Sequence, residues 1–346
     1  MGELVAQNRQ IAAPTTARGN GVSIVRLLVQ QRTLLVFLIL CAVVAYVLPP
    51  FLTTNNILNV LRQTSITGIV AVGMTFVIIT GGIDISVGSI VAVTGVVSAM
   101  LLQAGHGVGV AIAGALLVGL GLGFVNGVII AYGRVMPFVA TLGTMYLFRG
   151  LALIITNGQA VWQLPREFLE IGTGYLLGIP IPVIIAFLIY FGGHILLRRF
   201  TFGRYTIAIG GDEEAARLCG VSVQRVKLLT YVFCGLMSGV AGVVLAARLG
   251  SGQPSVGEGY ELIAIAAAVI GGNALTGGKG TVWGTLLGAL ILGVVSNALN
   301  LWGVASFFQI VITGCIVLVA VLAGKLNPRN LWKRRSQLGR NLAVRH

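Results

Sequence analysis

Gly203-Arg204-Tyr205, followed by Ile209-Gly210-Gly211-Asp212-Glu213-Glu214-Ala215-Ala216-Arg217-Leu218-Cys219-Gly220-Val221, is the longest bounded polar interruption in an otherwise apolar sequence. It carries three of the nine acidic residues. Asp212 is placed to cap a helix, Glu213 and Glu214 fall in its first turn, where the helix dipole favours anions, and Gly220 supplies a left-handed stop. The pattern predicts a helix of about two turns. So short a helix is marginal in water unless it packs on something, so it needs a partner surface. The competing reading is a solvated helix that touches only its own chain. Arg198, Arg199 and Arg204 before it and Arg225 and Lys227 after it place the loop, residues 198–227, on the cytoplasmic side of a membrane.

The rest of the composition agrees with a membrane. Of the 346 residues 56% are hydrophobic and 9% charged, against about 25% charged in soluble domains. The net charge of +14 does not point to nucleic acid, because no soluble domain is present to gather a basic face. Cys41, Cys219, Cys234 and Cys315 stand far apart with no C-x-x-C spacing, and His106, His194 and His346 are scattered, so neither a disulfide nor a metal site is expected.

The chain divides into a polar N-terminal tail ending in an interfacial helix (1–32), an apolar body (33–324) and a basic tail (325–346). The first 21 residues lack the apolar run of a signal peptide. Within the body, apolar segments run at about 33–48, 66–80 (with a helical lead-in from Thr53 or Thr54), 83–102, 108–131, 137–156, 179–197, 228–247, 262–272, 282–301 and 307–324. Pro49-Pro50 ends the first. The eighth is too short for a hydrocarbon core that takes about 20 helical residues and must be broken or extended. The fold class is all-α: a polytopic membrane protein of about ten helices with both termini cytoplasmic. Placed so, 19 of the 23 Lys and Arg residues fall on the cytoplasmic side; Arg62, Arg149, Arg166 and Arg248 do not.

Leu122-Gly123, Asn126, Gly133, Phe138 and Gly143 recur as Leu292-Gly293, Asn297, Gly303, Phe308 and Gly314. The two connectors would face opposite sides, which makes this an inverted repeat and puts a translocation path near its interface. Asn126 and Asn297 are candidates for that path. A second candidate is Gly81-Gly82-Ile83-Asp84-Ile85-Ser86-Val87-Gly88, where helix breakers surround a carboxylate that is costly inside a membrane. Asp84 and Ser86 would satisfy backbone groups freed at a break between packed helices; the alternative is an interfacial turn capped by Asp84. The Gly-rich run that includes Gly271, Gly272, Gly277 and Gly278 lets helix backbones approach closely or hinge. It is no phosphate loop: the places that a Walker motif needs as Gly and Ser/Thr hold Asn273 and Gly280.

These stretches resemble the permeases of ribose-type ABC sugar importers. The coupling loop of that family reads G-R-x-x-x-A-x-G-G-N-x-x-A-A-x-x-x-G-[IV], and Gly203, Arg204, Ala208, Gly210, Gly211, Ala215, Ala216, Gly220 and Val221 match it, with Asp212 in place of Asn. The family's G-G-I-D-[IL]-S-V-G matches at 81–88, and its G-Y-E-L-x-x-I-A-A matches from Gly259, so the likeness covers about 55–324. It implies that Gly203 to Gly220 contact a cytoplasmic ABC ATPase, which would bind ATP and Mg, this chain holding no cofactor. It further implies a periplasmic sugar-binding protein, a second permease copy (identical or a close paralogue) and a place in the bacterial inner membrane. Ala216 is expected to lie clear of the core on the docking face.

The alternative is an ion-coupled secondary carrier. Such carriers keep ionisable groups inside the bundle, and this chain offers mainly Asp84 and Arg149, the latter free to snorkel outward, with Glu258 and Glu261 placed near the external mouth. An intramembrane enzyme is a third choice, since no Ser/His/Asp constellation appears.

Overall fold

The computed structural model describes residues 32–325; the expected N-terminal tail, its interfacial helix and the basic tail lie outside the described residues. Ten apolar helices follow one another: α1 (Arg32–Val47), α2 (Thr54–Ile79), α3 (Val87–Gln103), α4 (Val108–Ala131), α5 (Pro137–Thr156), α7 (Ile181–Arg199), α10 (Val223–Leu249), α11 (Tyr260–Ile270), α12 (Val282–Leu301) and α13 (Ser306–Lys325). Six of these, α2, α4, α5, α7, α10 and α12, are long and apolar enough to cross a membrane. Between α5 and α7 lie a short helix α6 (Arg166–Thr173) and a two-stranded hairpin, β1 (Tyr175–Leu176) with β2 (Ile179–Pro180). Between α7 and α10 lie α8 (Thr201–Gly211) and α9 (Glu213–Leu218).

Helices α4, α5 and α12 keep the boundaries read from the sequence. In α2 the helical lead-in expected from Thr53 or Thr54 runs straight into the second span, forming one helix of 26 residues. Nothing between Thr54 and Ile66 breaks a helix, and Asn56 and Asn297 exchange hydrogen bonds of 3.0 and 2.8 Å. The turn at Pro49–Leu52 is a 3-10 helix that redirects the chain before it.

Two helices form the centre. In α2 and α10, 83% and 67% of the apolar window is buried, against 22–28% in α4, α5 and α7, so the latter present most of their apolar surface outward. Helix α10 packs on α4 and α3 as α2 packs on α12 and α11, while α2 and α10 pack on each other. Gly73 faces Cys234 and Met237, whereas Gly82, further along, faces Tyr231, earlier in α10, so the central pair is antiparallel. This is the inverted repeat in three dimensions, and it explains the sequence echo. A Cβ on Gly123 would strike the backbone of α10 at Tyr231; one on its counterpart Gly293 would strike Thr64 of α2. Without a hydrophobic drive between helices in lipid, such backbone approach supplies the packing.

The repeat also accounts for the short eighth helix. Of the two expectations, broken or extended, it is broken: its chain enters the bundle before it turns helical. Gly88, at the start of α3, and Gly257, just before α11, meet backbone to backbone. At 1.5 Å per residue α3 is about 25 Å long and α11 about 16 Å, and together they match the ~40 Å of α2 or α10. Thus α3 and α11 run to opposite ends of the bundle from one interior meeting point, each preceded by non-helical chain: Gly81–Ser86 and residues 250–259.

Candidate functional site

The polar stretch around Gly203–Val221 is two helices end to end rather than one helix in a loop. Gly203, Arg204, Gly210 and Gly211 all belong to α8, and Asp212 turns the chain into α9. The Asp212 carboxylate accepts from the Ala215 N–H at 3.0 Å, the expected cap, which is worth about 1 kcal/mol. Gly220 stops the helix with φ +80°. Glu213 accepts from Arg217 at 3.2 Å and Lys227 at 2.6 Å, and Glu214 accepts from Arg217 at 2.8 Å. The two Arg217 pairs are exposed and contribute little stability, the Lys227 pair is half-buried, and together they fix the side chains of α9. What holds α9 is its buried face: Ala216 packs into a cluster with Ile209, Val223 and Val226.

Ala216, 6% exposed, therefore does not lie on an outer face as expected. Asp212, Glu214, Ala215, Arg217 and Leu218 do, with Leu218 at 81% exposure. Beside them a cleft of about 470 Å³ opens between α9, the start of α10 and the α4–α5 turn, lined by Arg134, Met136, Glu213, Arg217, Gln224 and Lys227 among others.

The inner end of α8 is locked to the bundle at one crowded point. Gly210 sits against the Ile79 carbonyl and the Gly278 N–H, leaving no space for a Cβ, and the Gly278 N–H donates to Ile79 O at 2.9 Å. Gly277 and Gly278 close on Gly210 and Gly211, so this pair of path candidates packs under the coupling stretch, while Gly271 packs on Gly284 and Gly272 is exposed. Asn273, which the sequence reading used only to reject a phosphate loop, pins the same segment: its amide donates to Thr285 at 2.7 Å and its carbonyl accepts from the Thr281 N–H at 2.7 Å. Thr285 in turn meets Thr75 of α2 at 2.7 Å.

The break between α2 and α3 is interior. Asp84 and Ser86 are fully buried, and the segment lies against Tyr231 and Cys234, the latter about 16 Å along α10 from Val223. Asp84 Oδ1 accepts from the Ser86 N–H at 2.9 Å and from its hydroxyl at 2.7 Å, and Asn126 donates to Ser86 Oγ at 2.7 Å. Side chains thus replace a backbone ladder at the break, and the interfacial turn is set aside. Gly81 opens it at φ +81°, and Gly82 packs under Tyr231. Asn126 and Asn297 are not joined: one belongs to this group, the other pairs with Asn56.

The second break contains what the sequence reading misplaced. Arg149 does not snorkel outward but donates to the carbonyls of Pro254 and Val256, each at 2.6 Å. Glu261 accepts from the Gly259 N–H at 3.2 Å at the start of α11. Ser255-Val256-Gly257 repeats Ser86-Val87-Gly88. That second triplet is the signal in the sequence for this break.

Residues 56–320 match the family described as "Branched-chain amino acid transport system / permease component". Among curated proteins, the chain is 46% identical over 299 residues to the ribose import permease protein RbsC of Escherichia coli K12, covering 85% of this chain and 93% of that one. It is 48% identical over 286 residues to RbsC of Bacillus subtilis, covering 82% and 89%. It is 43% identical over 313 residues to the L-arabinose ABC transporter permease protein AraH of Azospirillum brasilense, covering 90% and 91%. No solved structure matches. The chain belongs to this permease family and, within it, to the ribose-type group whose motifs its sequence carries.

Proposed function

We propose that this chain is the membrane-spanning permease subunit of an ATP-binding-cassette importer, passing a monosaccharide or related polyol delivered by a periplasmic binding protein. Two permease copies enclose the path in the bacterial inner membrane, and a separate cytoplasmic ATPase subunit docks on the outer face of α8 and α9. The observation that carries this reading is the lock at Gly210: one exposed helix pair, capped and charge-dressed, grips the ends of both halves of the repeat while its outer face stays bare. The names of the relatives support ribose or arabinose as the cargo class.

Reconstitution tests it. In liposomes, the permease with its ATPase and a loaded binding protein should take up D-ribose or L-arabinose in step with internal ATP, and omission of any of the three should abolish uptake. The binding protein is needed because only a ligand with different affinities for the two states shifts their balance. Uptake by the permease alone under a proton or sodium gradient, lost in Asp84→Asn, would overturn this reading in favour of the secondary carrier.

A further inference from the structure

We infer that Ser255 and Glu258, in the chain that descends to α11, line the solute path, and that Glu258 accepts hydrogen bonds from the hydroxyls of a neutral polyol in transit. The inference rests on the permease reading above and adds to it a position and a chemistry.

Depth comes first. Gly252 lies against Val96 and Ala99 of α3 and pairs with Val161, whereas Gly257 lies against Gly88. The stretch of α3 between Gly88 and Ala99 is about 16 Å long. The chain from Gly252, which also touches Gly95, to Gly257 runs along this stretch and passes into a series of turns at 254–259. Glu258 thus stands beside the start of α3, about 22 Å from Gln103 at one end of the bundle and about 16 Å from the far end of α11 at the other. A hydrocarbon core of about 30 Å contains that point wherever the bundle ends are set.

Exposure comes second. Ser255 and Glu258 are both exposed on the protomer, and Leu262, one turn further, is 54% exposed. Lipid does not accept that arrangement, since an acidic residue at the centre of a membrane helix costs roughly 2.5–3.5 kcal/mol. Irregular backbone at such depth persists only inside protein or beside a water-filled cavity. Arg149 does not neutralise the carboxylate by direct contact: its short bonds go to the Pro254 and Val256 carbonyls, and no ion pair to Glu258 occurs among the described residues. Arg149 therefore serves the backbone of the turn at Pro254–Val256 and leaves Glu258 open to a mobile partner. An acceptor-only carboxylate with a hydroxyl beside it suits the O–H donors of a sugar, which it holds by charge-assisted bonds, and disfavours anionic cargo.

The test uses the assembled transporter in vesicles, with Cys41, Cys219 and Cys315 replaced by Ser and the buried Cys234 kept. Ser255→Cys, Glu258→Cys and, as a control, Leu117→Cys, 67% exposed on α4, are treated with a permanently charged methanethiosulfonate. Thiols at 255 and 258 should react at least tenfold faster than the one at 117, and the adduct should stop binding-protein-dependent uptake; rates equal to the control overturn the path assignment. Glu258→Gln should cut D-ribose uptake tenfold or more with ATPase association intact, and Glu258→Asp should recover part of it; unchanged uptake in Glu258→Gln overturns the acceptor role. Fast labelling at 255 and 258, together with a wild-type transporter that moves no D-ribose, supports the path assignment and rejects the sugar reading instead.

Discussion

Gly210→Ala isolates the lock between the α8–α9 pair and the bundle. A methyl group there would collide with the Ile79 carbonyl and the Gly278 N–H, both backbone atoms, so no side-chain rotation relieves it. Overpacking of this kind costs typically 1–3 kcal/mol. Prising Gly278 from Ile79 forfeits one buried hydrogen bond of 2.9 Å, worth about 1 kcal/mol net. Against this stands the helix preference of Ala over Gly, at most about 1 kcal/mol in the last turn of α8. The balance is a loss of about 1–3 kcal/mol confined to the lock. Gly211→Ala is the control, since a Cβ there meets nothing within 4 Å. Thermal unfolding of the purified permease should therefore show a lower midpoint for Gly210→Ala and none for Gly211→Ala. In the assembled transporter, Gly210→Ala should let ATP hydrolysis continue while uptake falls. Equal midpoints for the two variants would refute the steric argument, and full uptake with a lowered midpoint would refute the role given to the lock.

The outer and inner faces of α9 should separate cleanly: Leu218→Arg should leave the folded yield unchanged and weaken ATPase pull-down, whereas Ala216→Trp, aimed into the Ile209–Val226 cluster, should reduce the folded yield itself. Asp84→Ala removes the acceptor for both Ser86 donors and should destabilise by about 1–3 kcal/mol, while Asp84→Asn keeps an oxygen at that place and should lose less, as read by thermal unfolding. Arg149→Gln should loosen the descending chain, seen as faster thiol labelling at a cysteine introduced at Val256, with Arg149→Lys intermediate because a single ammonium replaces the guanidinium fork.

The sequence made the helices legible because most are bounded by residues with one local meaning. Pro137 opens α5 and Gly107 precedes α4, and these borders survive in the structure. The pairing of Asn56 in the lead-in of α2 with Asn297, 241 positions away, is one that no local pattern reveals. Ala216 was misread for a related reason. A short helix offers few residues to its own core, and a small apolar side chain suits either face; only the placement of Ile209 and Val226 decides. The second break escaped because its acidic residues, between two apolar segments, have the composition of an external loop. The descent into the bundle is carried instead by small residues, Gly252 and Gly257, pressed against α3.

The repeat gives the lock its mechanical meaning. Ile79 is the last residue of α2, and beyond it the chain enters the break that leads to α3; Gly278 lies in the segment that joins α11 to α12. The same hydrogen bond that closes over Gly210 therefore ties the base of one interrupted unit to the base of the other. Packed interiors move as units rather than deform continuously, so a displacement of α8 and α9 must carry both bases together. Helices α3 and α11 start from the interior contact of Gly88 with Gly257, where two backbones touch beside the Glu261 carboxylate. Both interrupted units are thus joined twice, at the base by the Gly278–Ile79 hydrogen bond and in the interior by the Gly88–Gly257 contact.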